Sequence, residues 1–579
     1  VPIGGRIVRS TERAVRNVAG RLSPERGEAL LQAAKAGYSL VTGRRASRRG
    51  VIPRKEPRVD PLAYRRAEGA YQRGDLPRAL ELTDGLVRRY PDSTRVLRLR
   101  RDVVTRMGEI NERAAMIHRL HTLDPVPEWL ESERVVMGRI VETTPGWLPA
   151  IPGAARPVVP ESPDVVLHLL KESSPHLTTG FTMRSRYNLL AAVEAGIKPV
   201  VVTALGFPRS LGVRDVEPLE IVDGIPHHRL DLGPFYPLDG PVDVTLQDTA
   251  WLAARLAEQI RPAVIHASSG HRGFEFALVG AALRRHIGVP LVYEVRSFFE
   301  STWGGDEAFG ESGEQYQRRF DAETRAMQQA DHVITIAESM QAEIIERGVD
   351  PDRITVIPNG VDADLFQPAP KDPRIVSRYG LEGAFTFGYV SNLDHPRENQ
   401  ELLIDATKVL LERGRQVRCL IVGDGRRREE LESHARHAGV GRAVRFTGRV
   451  PHDEVREHYA VLDAFVVPRR DERAARMVTP LKPYEALAMA RPLVVADLPA
   501  LVEIADPEER GLVFPDGNAE ALADALVRLM DDPALGERIG TAGRAWVAKE
   551  RSWSDNGPRF REVYRRVLDE WAARKATAA

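Results

Sequence analysis

The sequence predicts an α/β protein: two doubly wound domains in series behind an all-α N-terminal extension. Three observations predict it. A helical stretch near the N-terminus repeats at a 34-residue offset, short β-branched runs alternating with helices begin near residue 163, and that alternation restarts after a break at Pro368–Pro373. Near-continuous apolar strands separated by helices mean parallel sheets covered on both faces. At 579 residues the chain is too long for one core and needs three or four folding units.

Composition narrows the function classes. Lys and Arg number 82 and Asp and Glu 82, so net charge gives a general polyanion-binding role no support. The single cysteine, Cys419, lies in an apolar run, which excludes an intrachain disulfide and a cysteine-built metal site. No apolar run approaches the roughly 20 residues that span a bilayer. The N-terminal residues also lack a signal-peptide core, so a cytoplasmic location is the simplest reading.

Residues 1–60 read as a basic leader with Arg6, Arg9, Arg13, Arg16, Arg21, Arg44, Arg45, Arg48 and Arg49. Ile7, Val8, Val15, Val18 and Leu22 fall at helical spacing among them. Such a helix suits peripheral contact with the inner membrane surface. Its short apolar face, without Trp or Phe, equally suits a solvated leader or a helix packed on its own protein. Nucleic acid is not an expected partner.

Residues 61–126 read as two helical repeats. Gly74 and Gly108 stand 34 residues apart, as do Pro91 and Pro125. Tyr64, Ala67, Ala70, Tyr71, Ala79-Leu80 and Tyr90-Pro91 resemble a tetratricopeptide repeat, in which small residues let helices pack closely. Two repeats are fewer than usually stand alone, so they lean on this chain or bind a protein partner. Residues 127–162, rich in Pro and Gly from Pro145 onward, read as a linker. Residues 163–370 and 371–555 hold the two strand–helix series, and 556–579 an amphipathic helix packing back on the first of them.

The second series resembles the retaining glycosyltransferases of family 4, which have the GT-B fold of two facing Rossmann-like domains. The resemblance rests on Phe387–Leu393, Leu420–Gly425, Phe446–Val450, Asp463–Pro468 and Thr479–Ala490. In the first series it rests on Thr179–Arg184, Tyr293–Arg296 and Val356–Asp362, and it covers roughly residues 163–572. It implies transfer of a sugar from a nucleotide-diphosphate sugar, UDP-linked by family frequency, to a glycan, lipid-linked or small-metabolite acceptor. Polysaccharide biosynthesis is the setting it suggests. It implies no cofactor and no metal.

A nucleotide sugar brings two phosphates, which need backbone N–H groups and cations. The resemblance implies that Thr479, Pro480, Leu481 and Lys482 meet the diphosphate and that Glu485 accepts from the ribose hydroxyls. Gly180, after the first strand, would admit phosphate close to the backbone. Arg449 and Val450 would line the base, and Arg469 would border the sugar or phosphates or be a surface arginine. Asn392 and Arg397 stand near the family's arginine and lysine places, although Glu398 also aligns with the latter; Arg184 is a third candidate phosphate contact. His266, read as ending its strand, is the candidate histidine at the donor sugar, with Lys482 and Glu485 completing the catalytic set. His271, Glu294 and Arg296 are the acceptor-side candidates, with an internal Glu294–Arg296 interaction as the other reading. The family's first glutamate would fall at 477, where this chain has Met477. A catalytically weak scaffold, a sugar phosphorylase and a nucleotide-sugar epimerase therefore remain as alternatives.

Overall fold

The structure is a computed structural model and describes residues 56–270, 273–300, 309, 311–451 and 454–578. The amphipathic part of the basic leader and His271 lie outside them.

Five helices come first: Pro61–Gln72, Leu76–Arg89, Thr94–Met107, Ile110–Leu123 and Pro127–Glu142, each packed on the next. The turns at the 34-residue offset match, since Gly74 and Gly108 both have φ of 79°. Glycine takes this left-handed conformation without a Cβ penalty. Ala67, Ala70 and Ala79 are fully buried, so the first two helices approach closely. The fourth helix meets the helix Glu314–Gln329, where the Glu314 carboxylate accepts from the Asn111 backbone N–H at 3.0 Å.

The fifth helix corrects the reading of 127–162 as a linker. Pro127 sits in its first turn, where a missing N–H costs nothing. Val136 is buried, and a Cβ on Gly138 would fall 2.6 Å from Asp243 Oδ1, so the helix lies tight against the segment Pro241–Asp243. Only the stretch from Thr143 onward is irregular. The breakers clustered after Pro145 had hidden a helix with its own apolar stripe.

The first sheet has eight strands: β1 (Val165–Leu170), β2 (Lys198–Thr203), β3 (Leu219–Val222), β4 (Ile225–His228), β5 (Val264–Ser268), β6 (Leu291–Val295), β7 (His332–Thr335) and β8 (Ile354–Val356). Their order is β3-β4-β2-β1-β5-β6-β7-β8. β3 and β4, which the sequence reading did not anticipate, form an antiparallel hairpin across Asp223-Gly224. Both turn residues have positive φ, as a two-residue hairpin turn requires.

The second sheet holds β9 (Phe385–Val390), β10 (Val417–Val422), β11 (Val444–Phe446), β12 (Ala464–Val467), β13 (Leu493–Ala496) and β14 (Gly511–Phe514). Its order is β11-β10-β9-β12-β13-β14, and every pairing is parallel. Phe387, Leu420, Phe465 and Val494 are fully buried at its centre.

Packing divides the chain into two compact units. One runs up to Glu172 and includes Pro199–Tyr293 and Phe299–Asp331; the other comprises Ser173–Lys198, Glu294–Phe298 and His332–Ala579. In the second unit the helix Asn556–Ala578 packs on the helix Gly180–Glu194. A Cβ on Gly557 would fall 2.1 Å from the Ala191 carbonyl oxygen, so only glycine permits this approach. Asn556 Nδ2 donates to Asn188 Oδ1 at 2.9 Å and to the Pro358 carbonyl at 3.1 Å. Among the described residues no helix is long and apolar enough to cross a membrane.

Candidate functional site

Strand order locates the site. From β9 the chain builds outward through β10 and β11, then returns to the other side of β9 and builds through β12, β13 and β14. In open α/β sheets ligands bind at such a reversal, beyond the carboxyl ends of the strands. The loops leaving β9 and β12 there begin at Ser391 and Pro468.

The segment Thr479–Glu485 enters the short helix Lys482–Ala488. First-turn N–H groups of a helix have no intrahelical acceptor and suit an anion. Lys482 is half-buried and has no carboxylate partner among the described residues. Glu485, one turn in, accepts from the Tyr459 hydroxyl through Oε2 at 2.6 Å. Burial, and then the Glu485 charge, push the Tyr459 phenol well above its ordinary value, which keeps it a donor. The other Glu485 oxygen has no protein partner among the described residues. Thr479 is buried instead of open, and its carbonyl and hydroxyl accept from Asn359 Nδ2 at 2.9 and 3.4 Å. Pro480 is buried too, while Leu481 is half-buried.

Gly180 opens its helix beside this segment: a Cβ there would lie 3.6 Å from Leu481 Cδ1. That is ordinary contact distance, and the Gly180 backbone is not left-handed. Thr179 and Thr182 fix the helix start through a reciprocal capping box.

The arginines separate into two kinds. Arg184 is 2% exposed, and all five of its N–H donors are engaged. Nε and Nη2 reach Glu294 Oε1 at 3.1 and 2.8 Å; Nη1 reaches the Pro358 carbonyl and Asn359 Oδ1; Nη2 also reaches the Ile357 carbonyl. The expected phosphate contact from Arg184 is therefore corrected, because no donor remains. Arg296 takes the other Glu294 oxygen, with Nε at 2.7 Å, and donates to Ser185 Oγ at 2.7 Å. Glu294 is 1% exposed, so the internal Glu294–Arg296 interaction is the one present and neither residue is open to an acceptor.

Arg469 is not a surface arginine. Its Nε and Nη2 bind Glu398 at 3.2 and 3.0 Å, and Nη1 donates to the Val478 carbonyl at 3.3 Å. Tyr389 donates its hydroxyl to the same carboxylate, and Arg397 Nε stands 3.5 Å from it. Burial alone would raise the Glu398 carboxyl; Arg469, the Tyr389 hydroxyl and Arg397 outweigh it and bring it down to about 2. Asn392 is exposed, its Oδ1 accepting from the Asp394 N–H at 2.6 Å. Arg449 is exposed and Val450 packs partly on the core.

His266 is also corrected. β5 continues to Ser268, so His266 stands within the strand and not at its end. It is 1% exposed and stacks on His168 with ring centroids 4.7 Å apart. Met477 gives its carbonyl to Ser339 Oγ at 3.1 Å. Two Asp-x-Asp spacings occur, at Asp350–Asp352 and Asp362–Asp364; in each the first aspartate accepts from backbone N–H groups of its own turn. Sequence reasoning gave no role to Tyr389 or Tyr459, which stand 9 and 26 residues before the carboxylates they serve. It quoted Asn359 in a motif without giving it a role.

Comparison with known proteins agrees with this architecture. The family described as glycosyl transferase 4-like domain matches residues 179–360, and that described as glycosyl transferases group 1 matches residues 384–532. A GDP-mannose-dependent alpha-(1-6)-phosphatidylinositol monomannoside mannosyltransferase of Mycolicibacterium smegmatis is 32% identical over 36% of this chain and 55% of its own length. The chain thus spans about half of that relative. The 2-deoxystreptamine glucosyltransferase of Streptomyces kanamyceticus is 27% identical over 62% of this chain and 92% of its own. Among solved structures, a sucrose-phosphate synthase from Thermosynechococcus elongatus shares the fold at 22% identity, with a TM-score of 0.56 over 70% of this chain and 99% of that one. An Anabaena protein in complex with UDP does so at 19% identity, with a TM-score of 0.53 over 69% and 98%. The chain accordingly has the GT-B fold, with one region similar to a glycosyl transferase 4-like domain and a following region similar to glycosyl transferases group 1.

Proposed function

We propose that the protein is a retaining, metal-independent glycosyltransferase that moves a sugar from a nucleotide-diphosphate sugar to a glycan, lipid-linked or small-metabolite acceptor. One observation carries the reading: Lys482 and Glu485 share one helix turn at the sheet's reversal point, and among the described residues the lysine has no carboxylate partner and the glutamate one uncommitted oxygen. Glu485 would bind the ribose hydroxyls while Lys482 and the first-turn amides meet the diphosphate. The bond from the sugar's anomeric carbon to the phosphate oxygen breaks, the acceptor oxygen bonds to that carbon from the same face, and the leaving phosphate takes the acceptor's proton. The donor motif Thr479–Glu485, a UDP-linked donor and a cytoplasmic setting with peripheral membrane contact belong to this proposal. So does a protein partner for the tetratricopeptide-like helices.

Calorimetric titration of UDP, GDP and ADP into wild type and Glu485→Ala tests it. Selective binding of one nucleotide, lost in the variant, is the expected result. A donor panel with NMR of the product then tests retention, and an inverted anomer would overturn it. A scaffold reading draws on Met477, an apolar side chain where the resemblance implies a carboxylate; it predicts partner binding without nucleotide-sugar turnover.

A further inference from the structure

Glu398 and Arg469 form a buried ion pair, with side chains 10% and 12% exposed, where the sheet order reverses. A buried pair is a poor device for stability alone, since apolar groups of equal volume often do as well. It does fix the position of a charge. Three of the five Arg469 N–H donors are engaged, two on Glu398 and one on the Val478 carbonyl. The Tyr389 hydroxyl also lies against the guanidinium, which leaves at least one terminal N–H uncommitted among the described residues. The Val478 contact joins the guanidinium to the segment that runs directly into Thr479–Lys482. Arg397 also approaches Glu398, at 3.5 Å, so two guanidiniums share one carboxylate and a positive charge is left over. That excess, with a free donor on a planar guanidinium, suits a dianion.

Resting on the nucleotide-sugar reading, we infer that Glu398 and Tyr389 are positioning residues that hold Arg469 as the cation for the donor's diphosphate, acting with Lys482. Tyr389 is buried, and its hydroxyl donates to the Glu398 oxygen that also receives Arg469 Nε. The phenol thus completes the cradle and stops the carboxylate from rotating. Arg469 is the contacting residue; Glu398 and Tyr389 act only through it. Arg470, next along, turns away to Asn399 and Glu401, so the two arginines are not interchangeable.

The test is the preference for a nucleoside diphosphate over its monophosphate, measured calorimetrically on the full chain with UDP and UMP, and with GDP and GMP. Wild type should prefer the diphosphate. Glu398→Gln and Arg469→Lys should each cut that preference about tenfold, the worth of one charge-assisted hydrogen bond. Glu485→Gln should weaken both nucleotides alike and leave the preference intact. An unchanged preference in folded Glu398→Gln, or equal loss of both nucleotides, would overturn the inference while the nucleotide-sugar reading stood. Absence of any nucleotide binding in wild type would overturn that reading and the inference together. Should Glu398→Gln not fold, Tyr389→Phe, which keeps the ion pair, is expected to reduce the preference about two- to threefold; no reduction there would overturn the inference.

Discussion

Arg184, buried, and Arg469, largely buried, are both paired with a glutamate in the same compact unit, yet they are built for different ends. Arg184 donates to Glu294, two carbonyls in Ile357-Pro358 and the Asn359 side chain, and nothing is left over. It ties the helix Gly180–Glu194 to β6 and to the segment after β8, a join within the fold. Arg469 has at least one donor to spare among the described residues and stands where the strand order turns back. Residue type and burial alone do not distinguish them. The count of uncommitted donors does.

The largest effect should come from Arg184→Met, which leaves Glu294 buried with one cation in place of two. Breaking a buried pair in this way costs about 3–5 kcal/mol, read as a lower urea midpoint. A loss under about 1 kcal/mol would mean that Arg296 serves Glu294 alone, and the contrast would fail. Acid should next pick out the other cluster. The folded Glu398 carboxyl titrates at about 2 against an ordinary value of 4.5. Its stabilisation is therefore complete above about pH 4.5 and is lost as the pH falls towards 2, a total of about 3 kcal/mol. Stability curves of wild type and Glu398→Gln between pH 5 and 2.5 should converge accordingly; parallel curves would refute the depressed carboxyl.

Smaller still is Glu485→Gln, which should weaken nucleotide binding roughly 10- to 100-fold, as expected for a hydrogen bond to a charged group. Tm should change little, because Tyr459 can still donate to the amide oxygen. Equal weakening by Arg184→Lys, measured in the same titration, would blur the distinction between join and site. Gly180→Ala closes the series. With 3.6 Å to Leu481 Cδ1 and no left-handed backbone, its stability should stay within about 0.5 kcal/mol of wild type. A loss of nucleotide affinity without a loss of stability would then place phosphate against that turn.

The second sheet was legible because its strands are short, largely apolar runs bounded by polar loops. The β3–β4 hairpin was not, since Leu219 and Ile221 are exposed and only Asp223-Gly224 signals the turn. The site was legible where the motif is local, as at Thr479–Glu485. It was illegible where one side chain decides another's fate at long range. Nothing near Arg184 announces Glu294, 110 residues away, and nothing near Glu398 announces Arg469, 71 residues on. His266 misled because strand ends are blurred in sequence: two further residues of β5 turned a terminal histidine into a core one.

The helix Asn556–Ala578 bears on how the protein is made. Asn188 and its partner Asn556 are separated by 368 residues, and Gly557 admits the close contact on Ala191. During translation the helix Gly180–Glu194 emerges before Asn556 and waits uncovered, at ordinary synthesis rates of about 5–20 residues per second, for roughly 20–70 seconds. Until the ribosome reaches Asn556, Arg184's neighbourhood lacks its outer cover. A nascent chain of this protein therefore holds the surface beneath Asn188 open until residues 368 positions further on have been made.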